Sequence, residues 1–339
     1  MPTLYNTLSR RKEKFDSIEA GIAKIYTCGP TVYSFAHIGN FRSYVFADIL
    51  KRVLIFNRFE VKHIINITDV GHLTSDADEG EDKLEKSAIK EGKTAKEISQ
   101  FYYNAFLKDF KKLNLIEPEK WSWATKHIQE QIEMIRILKE KGFVYRIDDG
   151  LYFDTTKFKD YGKLSKKQIE NIEGGKRICL GGKKNKSDFA LWKFSKPEDK
   201  RQQEWDSPWG TGFPGWHIEC SAMAAKYLGK TFDIHTGGED HIPIHHENEI
   251  AQSTACFDAC PARFWVHAAF LMIEGGKMSK SLGNIETISS LERRGIDPLA
   301  YRYLCLTARY RKPLAWSEEA LKGAVNSYRR MQNACLDMK

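Results

Sequence analysis

Three stretches of the chain carry side chains able to hold a transition metal. Cys28 closes an apolar run, and Cys220 ends the segment Gly-Trp-His-Ile-Glu-Cys. His245, His246 and Glu249 crowd a segment that begins at Pro243. On a helix, His245 and Glu249 share one face, because residues four apart are neighbours, and ligands on successive turns can address one ion. Thiolates and an imidazole suit zinc, with a carboxylate oxygen as a harder fourth donor. Nothing in the spacing joins Cys28 to Cys220, nearly two hundred residues away. A buried cysteine is often only a small hydrophobe, and a His-x-x-x-Glu pair often only a structural contact. From the residues alone, a metal site and a set of packing residues both stay open.

Two other stretches suit a nucleotide. His37-Ile38-Gly39-Asn40 sits between a strand-like and a helix-like segment. A helix start offers unpaired N–H groups and the positive end of the dipole, which suit phosphate. Gly39 permits close approach to the backbone, and His37 can donate to a phosphate oxygen. A helix cap with a buried histidine fits the same residues. Gly275-Gly276-Lys277-Met278-Ser279-Lys280-Ser281-Leu282-Gly283-Asn284 is less ordinary. Its flanking glycines allow a loop to move, and its two lysines can offset charge on a transferring phosphate.

The elements that must hold these residues follow from periodicity. Ile22–Cys28 reads as a buried strand, Phe41–Phe56 has apolar residues at helical spacing, and Val61–Ile67 is a second β-branched run. Strand, loop, helix and strand in that order begin a parallel α/β sheet. Ala95–Leu113 and Lys126–Lys141 read as amphipathic helices, and Asp149-Gly150 as the turn of a hairpin. Thr155–Glu204 is rich in lysine and glycine, either an RNA contact or a solvated surface. The α/β pattern returns with a strand at Phe232–His235, a helix from Pro243 to about Ala255 and a strand at Phe264–Ile273. Helices open at Asp297-Pro298, through Tyr310, and at Ser317-Glu318-Glu319. The expected fold is α/β: a Rossmann-like sheet in two halves, 1–115 and 209–273, split by an insertion at 116–208. A loop and short helical segment at 274–339 follow.

The bulk numbers bound the reading. The chain has 339 residues, 42% of them apolar, which is enough for a substantial core. A net charge of +8 is compatible with a polyanionic partner and equally with an ordinary basic surface. Seven widely spaced cysteines argue for metal or core roles over a disulfide framework. No apolar run is long enough to span a membrane, and Met1–Arg11 lacks a secretory apolar stretch, so a cytosolic protein is expected.

With the motifs in place, the chain resembles a known family. His37-Ile38-Gly39-Asn40 is similar to the HIGH signature of class I aminoacyl-tRNA synthetases, and Lys277–Ser281 matches their KMSKS signature letter for letter. Cys28-Gly29-Pro30-Thr31-Val32-Tyr33, Asn66-Ile67-Thr68-Asp69, Trp209–Met223 and His245–Gln252 resemble cysteinyl-tRNA synthetases. The likeness runs to about Tyr310 and is weakest in the insertion. It implies one zinc ion per chain on Cys28, Cys220, His245 and Glu249. It implies ATP, taken with Mg²⁺, on His37, Gly39, Asn40, Lys277, Ser279 and Lys280, of which His37, Asn40, Lys277 and Lys280 are catalytic. It puts L-cysteine beside Gly29, Thr68, Trp216, His235 and Asp240, with Trp216 and His235 as walls and Asp240 on the ammonium group. The implied reaction activates cysteine and transfers it to tRNA(Cys), in a monomer. A pocket alone discriminates poorly between such small side chains, so sulfur-to-metal bonding would do the selecting.

The chain departs from the pattern in two ways. Asn40 stands where the signature has a second histidine, and it can donate a hydrogen bond but carries no charge. The family usually continues beyond the position of Lys339 through a helical bundle and an anticodon-recognising domain. Two other functions fit parts of the pattern: a mycothiol-type ligase that gives cysteine to an amino sugar, and a non-catalytic zinc and RNA-binding relative.

Overall fold

The computed structural model describes residues 1–71, 82–166, 182–196, 201–273, 276–277 and 285–338. A hairpin of β1 (Thr3–Asn6) and β2 (Arg11–Lys14) comes first, then β3 (Ile22–Thr27), α1 (Ile38–Phe56) and β4 (Glu60–Ile67). The helices α2 (Lys83–Glu91) and α3 (Ala95–Lys112) lead to β5 (Lys120–Trp123) and α4 (Ile128–Glu140). An antiparallel sheet follows, made of β6 (Val144–Ile147), β7 (Gly150–Phe153), β8 (Phe189–Phe194) and β9 (Gly212–Pro214). Then come α5 (Trp216–Leu228), β10 (Phe232–Gly238), α6 (His245–Phe257) and β11 (Ala262–Ala268). The last elements are β12 (Leu271–Ile273), β13 (Gly276–Lys277), α7 (Ile288–Arg293), α8 (Pro298–Leu306), β14 (Leu314–Trp316) and α9 (Glu318–Asp337).

The central sheet has the order β11-β10-β3-β4-β5, and every neighbouring pair in it is parallel. Chain order runs outward in opposite directions from β3 and β10, so the topological switch point lies between them. In open α/β sheets the ligand crevice opens there, beyond the carboxyl ends of the strands. All seven residues of β10 are buried, as expected of a parallel strand covered on both faces.

The sheet includes one strand that the sequence boundaries put elsewhere. Lys120–Trp123 falls within the expected insertion, yet β5 pairs with β4 from Ile64↔Lys120 to Ile67↔Trp123 and is the sheet edge. At the other boundary, Gly212–Pro214 pairs with β8 and belongs to the antiparallel sheet. Both strands are too short to show a period. The hairpin turn is Asp148-Asp149, one residue earlier than expected, since Ile147 pairs with Gly150. Phe264–Ile273 is two strands, β11 and β12, in different sheets. The basic residues at 167–181 lie outside the described residues.

Three contacts fix α1, whose start faces the crevice. Arg42, 3% exposed, donates to the carbonyl oxygens of Ala269 (2.8 Å), Phe270 and Lys312. Asp48 accepts from the N–H of Ile116 at 2.7 Å and pairs with Arg52 at 2.8 Å and Arg302 at 2.5 Å. Phe41 and Tyr44 pack their rings on Phe106 of α3. A second core, on the other face of the sheet, joins Ile132 and Ile135 of α4 to Phe153, Phe189 and Trp192 of the antiparallel sheet. Cys28 and Cys220 belong to that core.

His63 of β4 is buried, with Nε2 2.8 Å from the Thr27 hydroxyl, which in turn meets Thr236 at 2.7 Å. Burial, helped by the charge on Lys51, lowers its pKa to about 3. The folded chain thus refuses a proton that the unfolded chain binds below about pH 6.5. His63 therefore favours the folded state fully above that pH, and the benefit disappears as pH falls towards 3. His63→Gln, whose amide can still meet Thr27, should flatten the acid side of the stability curve. The expected change is about 1.4 kcal/mol per pH unit between those limits, read from urea unfolding at stepped pH.

Candidate metal centre and nucleotide cleft

Four elements converge at the switch point. Cys28 follows β3 directly, its N–H bonded to the Thr236 carbonyl of β10 at 3.1 Å. Cys220 lies in the second turn of α5, and α6 supplies His-His-Glu-Asn-Glu from His245 to Glu249, all five residues buried. Helix geometry sends these five side chains different ways. His245 Nε2 lies 3.2 Å from Glu249 Oε1, and His246 Nε2 lies 3.2 Å from Cys28 Sγ. Glu247 instead accepts from the N–H groups of Gly162 (2.9 Å) and Ser165 (2.7 Å), and Asn248 accepts from the Tyr161 hydroxyl at 2.6 Å.

Two overlapping donor sets result. One donor atom from each of Cys28, Cys220, His245 and Glu249 lies within 4.8 Å of the other three, and the same holds for Cys28, His235, His246 and Glu249. Both sets are wholly buried. Burial pushes the Cys28 thiol well up, and Cys220 and Glu249 push it further. A hydrogen bond from Cys28 pulls Cys220 down, but burial and the charges of Glu249 and Glu219 leave it raised. Burial lowers His245, His246 and His267 well below the usual imidazole range. Burial opposes ionisation of Glu249, but His235, 3.0 Å from Oε2, and His245 outweigh it and hold the carboxyl below its usual range. The result is a dry pocket of lone pairs around one carboxylate. Its chemistry fits a divalent cation, which deprotonates thiols and accepts neutral imidazole. The first set, with two sulfurs, is the better match to zinc.

More histidines surround the site than the sequence reading used. His217 Nδ1 meets His245 Nδ1 at 2.9 Å. His246 Nδ1 meets His267 Nε2 at 2.8 Å, and His267 Nδ1 reaches the Thr7 hydroxyl at 2.8 Å. Such outer hydrogen bonds fix the tautomer and aim of a ligating ring. The signal was compositional: six of the ten histidines fall between His217 and His267.

The cleft beside these donors has a volume of about 790 Å³ and is lined by Cys28, Gly29, His37, Asn40, Thr68, Trp216 and Asp240, among others. His37 and Asn40 form a reciprocal cap on α1: Asn40 N–H donates to His37 Nδ1 (3.3 Å), and His37 N–H donates to Asn40 Oδ1 (3.0 Å). A Cβ at residue 39 would sit 2.9 Å from the His37 ring, so glycine lets that ring lie across the helix start. A Cβ at residue 29 would lie 1.6 Å from the Asn66 carbonyl oxygen, so Gly29 allows the ends of β3 and β4 to close together. The cap and the cleft-lining position, alternatives in the sequence, are both occupied by His37. His235 does not wall the cleft as expected. It is 1% exposed, stacked on Trp265 at 4.5 Å and bonded to Glu249, because its side chain points from β10 into the core behind the donors. His241 is on the cleft in its place. The side chain of Lys277 and all of Ser279 and Lys280 lie outside the described residues.

This arrangement is that of a class I synthetase. A match to the family described as tRNA synthetases class I (C) catalytic domain runs over residues 14–326, and the chain belongs to that family. Among curated relatives, "Cysteine--tRNA ligase 1" of Burkholderia lata is 56% identical over 97% of this chain and 70% of its own length. "Cysteine--tRNA ligase" of Zymomonas mobilis subsp. mobilis is 50% identical over 99% of this chain and 65% of its own length. The chain thus spans about two thirds of the relatives it matches. In fold it is similar to Mycobacterium tuberculosis methionyl-tRNA synthetase in complex with methionyl-adenylate, with a TM-score of 0.66 and 15% identity over 90% of this chain and 68% of that one.

The two donor sets make different predictions. Cys220→Ser and His245→Ala should each drop zinc well below one per chain by elemental analysis, while His246→Ala should retain it. The reverse order of the two histidine variants would select the second set.

Proposed function

We propose that the chain activates L-cysteine with ATP and transfers it to tRNA(Cys). The observation that carries this reading is that Cys28 and His37 line one cleft: the thiol-rich donor set and the phosphate-suited helix start face the same space. The relatives' names point the same way.

In this reading Cys28, Cys220, His245 and Glu249 hold zinc, which supplies a soft acceptor that takes a thiolate and discriminates against a hydroxyl. Trp216, whose ring lies 4.7 Å from that of His245, covers the amino acid, and Asp240 pairs with its ammonium group. Gly29 and Thr68 bound the pocket at the strand ends. The substrate carboxylate attacks the α-phosphorus of ATP-Mg²⁺, an O–P bond forms, and pyrophosphate leaves. His37 Nδ1 accepts the Asn40 N–H, so a neutral ring carries its proton on Nε2 and can donate to a phosphate oxygen. Asn40 uses Oδ1 for the cap, which leaves its NH₂ as the donating half. Backbone N–H groups around Gly39, at the positive end of α1, favour the same charge. Lys277, Ser279 and Lys280 complete the phosphate contacts, Lys280 foremost. The terminal ribose hydroxyl of the RNA then attacks the carbonyl carbon and AMP leaves. The reading has a monomer at work in the cytosol. Among the described residues no helix is long and apolar enough to cross a membrane.

Cysteine-dependent ATP–pyrophosphate exchange tests activation, and exchange with cysteine but not with serine is the expected result. A folded, zinc-loaded sample that does not exchange would overturn it in favour of a non-catalytic RNA-binding protein. Lys280→Ala should slow exchange by about a hundredfold or more. Transfer is tested by charging tRNA(Cys) in parallel with glucosaminyl-inositol. Product on the sugar alone would make the protein a mycothiol-type ligase.

A further inference from the structure

One lip of the cleft has a composition that neither zinc nor the adenylate explains. Lys83, Lys86 and Lys90 of α2, spaced three and four apart, all line the cleft, with Ser87 between them. Leu84 and Ala88 are buried with Ala95 and Ile98 of α3, and Leu84 also borders the cleft. The carboxylates of α2 are engaged elsewhere. Glu85 accepts from the N–H groups of Gln202 (2.8 Å) and Gln203 (3.3 Å), and Glu91 accepts from Lys93 (2.9 Å) and the Tyr102 hydroxyl (3.0 Å). Among the described residues that line the cleft, Asp240 is the one carboxylate.

Exposed aromatic rings stand beside the lysines. Phe35 lines the cleft and is 52% exposed; its ring meets Tyr102 at 5.1 Å and Phe101 at 5.9 Å. Phe101 is 46% exposed, with Lys93 Nζ 5.1 Å from its centroid, and Lys83 Nζ lies 5.5 Å from the Tyr33 ring. Large apolar rings in water beside cationic groups are what a single-stranded nucleic acid needs: ammonium groups track the phosphates, and bases stack on the rings. A protein partner would call for a continuous apolar patch, and a bare triphosphate has one base to stack.

We propose that the Lys83–Lys86–Lys90 face of α2, with Phe35 and Phe101, seats the unpaired 3′ end of the tRNA where it enters the cleft. The inference rests on the reading of the protein as a tRNA-charging enzyme and assigns that reaction's second substrate to a surface. Phe35 stacks on a base, and Lys86 and Lys90 neutralise adjoining phosphates. Adenylate formation occurs without this seat.

The test compares the two half-reactions in the full, zinc-loaded chain. In Lys86→Ala/Lys90→Ala and in Phe35→Ala, cysteine-dependent exchange should keep its kcat and its KM for ATP within about twofold. The KM for a tRNA(Cys) transcript should rise about tenfold or more, while Phe35→Tyr keeps it near the parent value. The double lysine variant should also lower the slope of log K against log salt by about 1.4, as expected for two single-strand phosphates. A transcript lacking its unpaired 3′ nucleotides should bind parent and variants alike. Equal weakening of both transcripts would overturn the seat in favour of contacts to duplex RNA, and a raised KM for ATP would give the lysines to the nucleotide. An unchanged KM for tRNA would also overturn it. If the double variant loses exchange as well, Lys90→Glu, at an exposed position, decides on the same readings. Absence of exchange in the parent would instead sink the activation reading itself.

Discussion

The arrangement depends on burying one carboxylate. Glu249 is 2% exposed in the interior of an α/β core, and an isolated ion there costs several kcal/mol. The chain offsets that cost by convergence. His235 and His245 reach the two oxygens of Glu249, and Cys28 closes from the end of β3. Each partner comes from a different part of the sheet or its helices, so the donor pocket exists only when the parallel sheet is complete. Stability and site are therefore linked: the residues that would select the amino acid are part of the core.

The same sheet explains the second half of the site. Because chain order diverges at β3 and β10, their carboxyl ends leave a crevice, and α1 begins at its edge. Arg42 fixes that helix by binding three carbonyl groups, two of them between β11 and β12 and one before β14. It thereby ties the start of α1 to the segment between β11 and β12.

Much of this was legible in the residues, and the gaps have physical causes. Long buried runs such as Ile22–Cys28 and amphipathic periods such as Ala95–Leu113 identified their elements closely, because burial on one or both faces leaves a period. Lys120–Trp123 and Gly212–Pro214 went to the wrong side of the insertion boundaries because three or four residues show no period, and only their pairing assigns them. Motif matches gathered Cys28, Cys220, His245 and Glu249, which no spacing argument could join. They misplaced His235, since the side a strand residue faces depends on the register of its neighbours. The imidazoles of His217 and His267 were missed because a hydrogen bond between side chains remote in sequence leaves no local pattern.

Glu247 has a consequence of its own. It is buried on the same helix turn as Glu249 but faces away, clamping the amides of Gly162 and Ser165 in the segment after β7. The insertion and the donor helix are thus fastened through one carboxylate. A change to residues 162–165 therefore removes a support that the helix carrying Glu249 shares with the insertion.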